Sequence, residues 1–305
     1  MEATLAIIIP CLDEAEGILP LLAQVDGAIT GLGERCLVVI VDDGSVDDTA
    51  ERARTFTPST SDLVVNVISL SYTMGHQEAI QQGLLCASES RASHFIVMDG
   101  DGEDDPAALP ELIGAKGTPI VFVARGRRHE AVGFRLGYRL YRMLFRWVVG
   151  KPINFGNYSM IDRRVLAAVL DRGFLHYAAF LARLGPDYGV ITRDRRPRIA
   201  GRSKMSFQAL SRHAFNAIIE YSDEVLALFL KGSFYLGGLF LCCVITIVCI
   251  KVFTDLAIPG WASILTFSLV NSMLLCLGFF VIGLMLARAV GRRERSARRI
   301  YERVL

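Results

Sequence analysis

Cys36-Leu37-Val38-Val39-Ile40-Val41-Asp42-Asp43-Gly44-Ser45 is a run of six apolar residues that ends in two carboxylates and a turn. An apolar run without alternation predicts a strand buried on both faces, and the Gly-Ser step closes it. The same pattern recurs on either side. Leu5-Ala6-Ile7-Ile8-Ile9-Pro10 reads as a strand ended by Pro10 and followed by Asp13-Glu14. Leu63–Leu70 reads as a third strand, and Phe95-Ile96-Val97-Met98 as a fourth that runs into Asp99-Gly100-Asp101. Helical patterns fill the gaps at residues 13–29, 47–56 and 75–88; the first places Leu19, Leu22, Val25 and Ile29 on one side. Strand and helix in alternation predict an α/β fold, a mostly parallel sheet covered on both faces. Ligands of such sheets bind beyond the carboxyl ends of the strands. Three acidic clusters are therefore expected on one rim.

Crowded carboxylates repel unless a cation or a proton donor sits among them. Asp-Gly-Asp sets two carboxylates two residues apart with no side chain between, and Glu103 follows two further on. Hard oxygen ligands suit Mg²⁺ or Mn²⁺, whose shells substrate phosphates complete. The rim thus reads as a metal–diphosphate site.

The far end of the chain differs in character. Residues 233–250 and 262–287 carry no charge. At about 1.5 Å per residue they reach roughly 27 and 39 Å, against a hydrocarbon core of about 30 Å. A short turn at 254–260 joins them, so a transmembrane hairpin is expected. Seven Arg against two Glu in residues 288–305 give a tail of +5, which leaves −3 for the other 287 residues of a chain whose net charge is +2. That balance excludes a bulk nucleic-acid binder. Basic flanks stay cytoplasmic, so both termini are expected there, in an inner cell membrane protein of more than one pass. The N-terminus has no basic segment and only a short apolar run, unlike a signal peptide. The seven Cys show no metal or disulfide spacing and read as small apolar residues in a reducing compartment.

Five stretches together carry a family resemblance: residues 7–14 (IIIPCLDE), 41–49 (VDDGSVDDT), 97–106 (VMDGDGEDDP), 156–164 (GNYSMIDRR) and 201–205 (GRSKM). In this order the chain resembles GT-A fold, family 2 glycosyltransferases of the polyprenyl-phosphate type, similar to dolichyl-phosphate mannose synthases and bacterial undecaprenyl-phosphate glucosyltransferases, from about residue 4 to 230. The resemblance implies a Rossmann-like GT-A domain at 1–205, a juxtamembrane amphipathic helix at 206–230, two transmembrane helices within 231–288 and a basic tail at 289–305. It implies that Pro10, Leu12, Asp13, Glu14, Asp42, Asp43, Gly44, Gly75, Asp99 and Gly100 line a nucleotide-sugar pocket. Asp99 and Asp101 would be catalytic and, with Glu103 where relatives often carry Gln, hold Mg²⁺ or Mn²⁺. Arg125, Asn157, Arg202, Ser203 and Lys204 would meet the acceptor phosphate. The implied partners are a nucleotide-diphosphate sugar, a polyprenyl phosphate, the lipid bilayer and possible further copies of the chain in a homo-oligomer, with no nucleic acid.

The chain departs from the family pattern at three places. Tyr72-Thr73 stands where relatives often have Arg-Asn, Asn157 where many have a candidate base Asp, and Phe174-Leu175-His176-Tyr177 where Arg-Phe-Leu-Arg is common. An amide cannot act as a base, but a phosphate acceptor is already anionic near neutral pH. A hydroxyl acceptor such as a glycolipid, or a noncatalytic membrane scaffold, are the alternatives; the intact Asp99 and Asp101 weigh against the second. Arg135, Arg139, Arg142 and Arg146 share one helical stripe, suited either to a lipid interface or to a solvated face. Arg193 to Arg198, with Arg202 and Lys204, is a second basic cluster, expected to serve anionic headgroups or the acceptor phosphate. His76, at a helix start, is placed either near a phosphate or as a structural residue.

Overall fold

The computed structural model describes residues 3–125, 155–185, 187–194, 196–200, 216–217, 219–253, 260–291 and 301–303. The expected Arg stripe at 135–146, the residues Arg202, Ser203 and Lys204, the turn at 254–259 and most of the basic tail lie outside the described residues. The described chain falls into two compact units, one built on a sheet and one on two long helices.

The sheet unit runs β1 (Leu5–Cys11), α1 (Ile18–Ile29), β2 (Cys36–Asp42), α2 (Thr49–Thr55), β3 (Leu63–Leu70), α3 (His76–Ser88), β4 (His94–Val97), a 3₁₀ turn, α4 (Leu109–Gly114), β5 (Ile120–Arg125), β6 (Phe155–Asp162), α5 (Arg163–Arg172), α6 (Tyr177–Leu184) and β7 (Gly189–Arg193). The strands lie in the order β7-β5-β6-β4-β1-β2-β3-β8, with β8 (Tyr301–Arg303) on the outer edge. β4, β1, β2 and β3 are mutually parallel. β6 enters between β4 and β5, antiparallel to both, so β5 again points the way β4 does. β7 pairs parallel with β5.

Alternation along each strand divides the core in two. Leu5, Ile7 and Ile9 join Leu21, Leu22 and Val25 of α1 and Leu109 and Leu112 of α4. Ala6 and Ile8 join Ile80 and Leu84 of α3, Leu166 of α5 and Leu181 of α6. α3 lies flush on the sheet: a Cβ at Gly83 would collide with the Ile8 side chain and stand 2.7 Å from Val41 Cγ2.

Two local expectations are corrected. β1 does not stop at Pro10 but runs to Cys11, with Pro10 opposite Val41. The Ile8 carbonyl accepts from Met98 on the β4 side. Pro10, two residues on, turns its missing N–H to that same side, where β4 has already ended, so no ladder bond is lost. α1 starts at Ile18 rather than residue 13, because residues 13–15 are tied into the β2 loop instead.

The second unit holds α7 (Ser222–Phe253) and α8 (Trp261–Gly291). Ser222–Ile250 and Ser263–Leu286 each contain an 18-residue stretch with a mean hydropathy of 2.4 and are long and apolar enough to cross a membrane. α7 begins 11 residues before the expected start at Ser233 and passes Lys231 without a break. Phe229 packs on Phe279 at 5.9 Å between ring centroids, and Leu226 occupies the space beside Gly283.

Candidate active site

The topology decides what meets at the rim. β1, β2, β3, β4, β5 and β7 all end there, while the antiparallel β6 begins there. The loops after β1, β2 and β4, the start of α3, Asn157 of β6 and the segment after β7 therefore gather on one side. Arg125, the last residue of β5, reaches the same end, its backbone in register with Arg193.

The first two loops are laced together. Asp13, in the left-handed region at φ 48°, accepts from the Val46 amide at 2.8 Å and donates its own amide to Ser45 Oγ at 2.8 Å. The Glu14 amide donates to Thr49 Oγ1 at 2.8 Å, and Asp42 accepts from the Ser45 amide at 3.2 Å. Gly44 (φ 73°) leaves room for the next loop, since a Cβ there would stand 2.9 Å from the Thr73 nitrogen. Asp43 is buried and accepts from the Met74 amide at 2.7 Å and the Gly75 amide at 2.9 Å. It thereby fixes the loop that starts α3.

Burial pushes the Asp43 carboxyl above its ordinary value of 3.8, although the two amide bonds pull it down. The folded chain then keeps this proton to higher pH than the unfolded chain. Between the two pKa values the folded state binds more protons, so Asp43 makes stability fall as pH rises upward from 3.8 and contributes no slope beyond its raised pKa. Unfolding measured over that range should show a smaller decline in Asp43→Asn than in the parent chain.

The Asp99-Gly100-Asp101 turn sits directly on β1. A Cβ at Gly100 would stand 2.5 Å from Cys11 Sγ and 2.7 Å from the Pro10 carbonyl oxygen. Neither neighbour is the end of a flexible chain. Gly100→Ala should therefore cost about 1–3 kcal/mol in unfolding free energy. Gly114→Ala, where nothing lies within 4 Å, serves as the control and should be close to neutral. Cys11 itself is buried beneath the rim; burial, followed by the charges of Glu14 and Asp42, pushes its thiol well up, so it remains an unreactive thiol.

The two aspartates of the turn face different partners. Asp99 Oδ1 lies 3.2 Å from His76 Nε2, on the first residue of α3. The His76 side chain is 42% exposed; the protein packed around it opposes protonation, but Asp99 beside it, with Asp101 and Asp104 behind, outweighs that and raises its pKa. Asn157 Nδ2 lies 2.9 Å from the same His76 nitrogen, while buried Asn157 Oδ1 has no hydrogen-bond partner. Nε2 carries a single proton, so it donates to Asp99 or, after a half-turn of the amide, shares that proton with Asn157 Oδ1.

Asp101 Oδ2 meets Arg198 Nη2 at 2.7 Å, Glu103 Oε1 meets Arg198 Nε at 3.2 Å, and Glu14 Oε1 meets Arg198 Nη1 at 3.3 Å. Of the residues expected to hold a metal, Asp101 and Glu103 thus converge on one point, joined by Glu14, and the cation at that point is a guanidinium. Among the described residues no group of three or more His, Cys, Asp or Glu is arranged to hold a metal ion. The donor chemistry still fits one, because three hard carboxylates converge on one guanidinium. Other members of the second basic cluster also face acids of their own unit. Arg193 pairs with Glu111, and Arg196 reaches Asp105 at 3.3 Å and Gln24 at 2.7 Å.

The sheet order and the acidic loops at its strand ends are those of the GT-A glycosyltransferase fold. Glucosyl-3-phosphoglycerate synthase of Mycobacterium tuberculosis, solved with Mn²⁺, UDP and phosphoglyceric acid, is similar at a TM-score of 0.52 and 18% identity, over 73% of this chain and 78% of that one. The chain belongs to glycosyl transferase family 2, whose family model matches residues 6–170. Among curated proteins it is 25% identical over 315 residues to an uncharacterized glycosyltransferase of Synechocystis, covering 99% of this chain and 95% of that protein. It is 25% identical over 168 residues to the undecaprenyl-phosphate 4-deoxy-4-formamido-L-arabinose transferase of Klebsiella pneumoniae, covering 54% of this chain and 50% of that protein.

Proposed function

We propose that this chain is an inverting glycosyltransferase that moves a sugar from a nucleotide-diphosphate sugar to a polyprenyl phosphate at the membrane. The observation that carries the reading is the presence, in one family 2 chain, of an acidic rim and of two helices apolar enough to span a bilayer. A water-soluble, anionic donor suits the first and a lipid acceptor the second. The relative from Klebsiella, named for an undecaprenyl-phosphate substrate, supports the same pairing.

In this reading Pro10, Leu12, Asp13, Glu14, Asp42, Asp43, Gly44, Gly75, Asp99 and Gly100 line the donor pocket. Arg125, Asn157, Arg202, Ser203 and Lys204 face the acceptor phosphate. Asp99, Asp101 and Glu103 would hold Mg²⁺ or Mn²⁺, which when bound neutralises charge on the leaving diphosphate. The acceptor phosphate oxygen attacks the anomeric carbon from the face opposite the diphosphate. The bond to the diphosphate breaks as the new carbon–oxygen bond forms, and the anomer inverts. No protein nucleophile is required. A phosphomonoester, with a second pKa of about 6, needs no base near neutral pH. A hydroxyl acceptor would need one, and Asn157, an amide set against His76, does not supply it.

The test is direct. Incubated with radiolabelled nucleotide sugars and a polyprenyl phosphate, the protein should form a labelled lipid that mild acid releases. Label appearing only on a hydroxyl-bearing lipid, or on no lipid, overturns the proposal.

The proposed placement is an inner cell membrane, with both termini cytoplasmic and α7 and α8 as a hairpin. Reporters fused before Met1 and after Leu305 should both read cytoplasmic. A cysteine introduced by Ile258→Cys should react with an impermeant reagent from the far side alone. Termini on opposite sides would mean a single crossing.

A further inference from the structure

We propose that Arg198 is a resident counter-ion of the acidic rim, and that a divalent cation enters only by displacing it. The inference rests on the metal reading above for Asp101 and Glu103, which meet Arg198 together with Glu14 while Asp99 faces His76, and it concerns how that part of the rim is kept when no metal is bound.

Each nitrogen of the guanidinium has its own carboxylate: Nε with Glu103 at 3.2 Å, Nη1 with Glu14 at 3.3 Å and Nη2 with Asp101 at 2.7 Å. The four side chains are withdrawn from water, the arginine 20% exposed and the acids 12–16%. A solvated arginine on a loose loop would not be so placed. The segment bearing Arg198 is strapped to the turn it neutralises. The Arg196 amide donates to the Glu103 carbonyl at 3.1 Å, and the Ile199 amide to the Asp101 carbonyl at 3.4 Å. The Ile199 side chain covers Gly102 (φ 76°), where any Cβ would collide with it. Backbone, apolar contact and charge therefore bring the arginine to one place.

Mg²⁺ and Mn²⁺ need their ligand oxygens far closer than this, at about 2.0–2.1 Å for Mg²⁺. An ion at that range from Asp101 Oδ2, Glu103 Oε1 and Glu14 Oε1 would occupy the volume of the guanidinium, and the two positive charges would repel. The guanidinium and such an ion thus compete for these three oxygens. Exchange would also loosen the strap that holds residues 196–199 to the Asp101–Glu103 turn.

The experiment uses the full chain in detergent without nucleotide. Free Mn²⁺ is counted by its electron paramagnetic resonance signal for the parent protein and for Arg198→Met, which keeps an unbranched stem and loses the charge. Removal of a competing charge-assisted contact should tighten Mn²⁺ binding roughly tenfold or more. In the parent protein, Mn²⁺ should also speed amide hydrogen exchange in residues 196–200 and leave β2 unchanged, a result independent of any variant's folding. Equal or weaker Mn²⁺ binding in a folded Arg198→Met, or unaltered exchange at 196–200 in a parent chain that binds Mn²⁺, overturns the displacement and leaves the metal reading intact. Failure of both proteins to bind Mn²⁺ overturns the metal reading and the displacement with it.

Discussion

Asp101→Asn is expected to lose transfer activity by about a thousandfold while the protein stays folded. The substitution keeps the shape of the side chain and removes its charge. In a rim shielded from water, one fixed charge or donor aimed at a developing charge is worth about 10²–10³ in rate, and a carboxylate that also fixes a cation stands at the upper end. The fold should survive because Asp101 lies on a loop, outside both apolar clusters of the core. Two readouts separate the roles of this side chain. Turnover with donor and acceptor saturating reports the loss in rate. Nucleotide binding with and without Mn²⁺ reports whether the cation-dependent part has gone. Parent-like turnover in the variant, or undiminished turnover of the parent chain in EDTA, would remove the metal from the proposed chemistry.

Lys204→Ala carries the second large effect. In the proposed function Lys204 binds the acceptor phosphate, and a charge-assisted hydrogen bond is worth about 1.5–3 kcal/mol. Since about 1.4 kcal/mol is tenfold, transfer should fall roughly 10- to 150-fold. Donor affinity should stay within a few-fold if the ammonium touches only the acceptor. Steady-state kinetics with the two substrates varied separately distinguish three cases. A loss confined to the acceptor supports the assignment. An equal loss for the donor moves Lys204 to the diphosphate. No loss at all makes it a solvated lysine without a part in binding.

The strands were legible because their signal is local. Leu5 to Ile9, Cys36 to Val41 and Phe95 to Met98 are apolar without alternation, and a sheet covered on both faces demands that. The acidic ends of those strands were legible for the same reason. The partners of the acids were not. Arg198 stands 184 residues from Glu14 and 97 from Asp101, and nothing in its neighbourhood of basic residues separates it from an arginine facing water. The decisive step is the placement of β7 beside β5, which brings the following segment to the rim, and a five-residue strand gives little notice of that. His76 was singled out by its place at a helix start and Asn157 by its place in the family motif, but their meeting depends on β6 running antiparallel into a parallel sheet. Pro10 misled in a different way. A proline usually ends a strand, and here it continues one because the neighbour on its mute side has already stopped.

Gly83 has a consequence for motion. Well-packed surfaces shift by sliding only when neighbouring side chains can trade places, and α3 has no such freedom where its backbone rests on Ile8 and Val41. The helix is keyed to the sheet like a bolt in a slot. His76, on its first turn, is then a fixed post from which distances across the mouth of the enzyme are set, and opening or closing has to come from hinged loops around it. Structures trapped at successive steps of turnover should superpose on α3 and the central strands while the loops move against them.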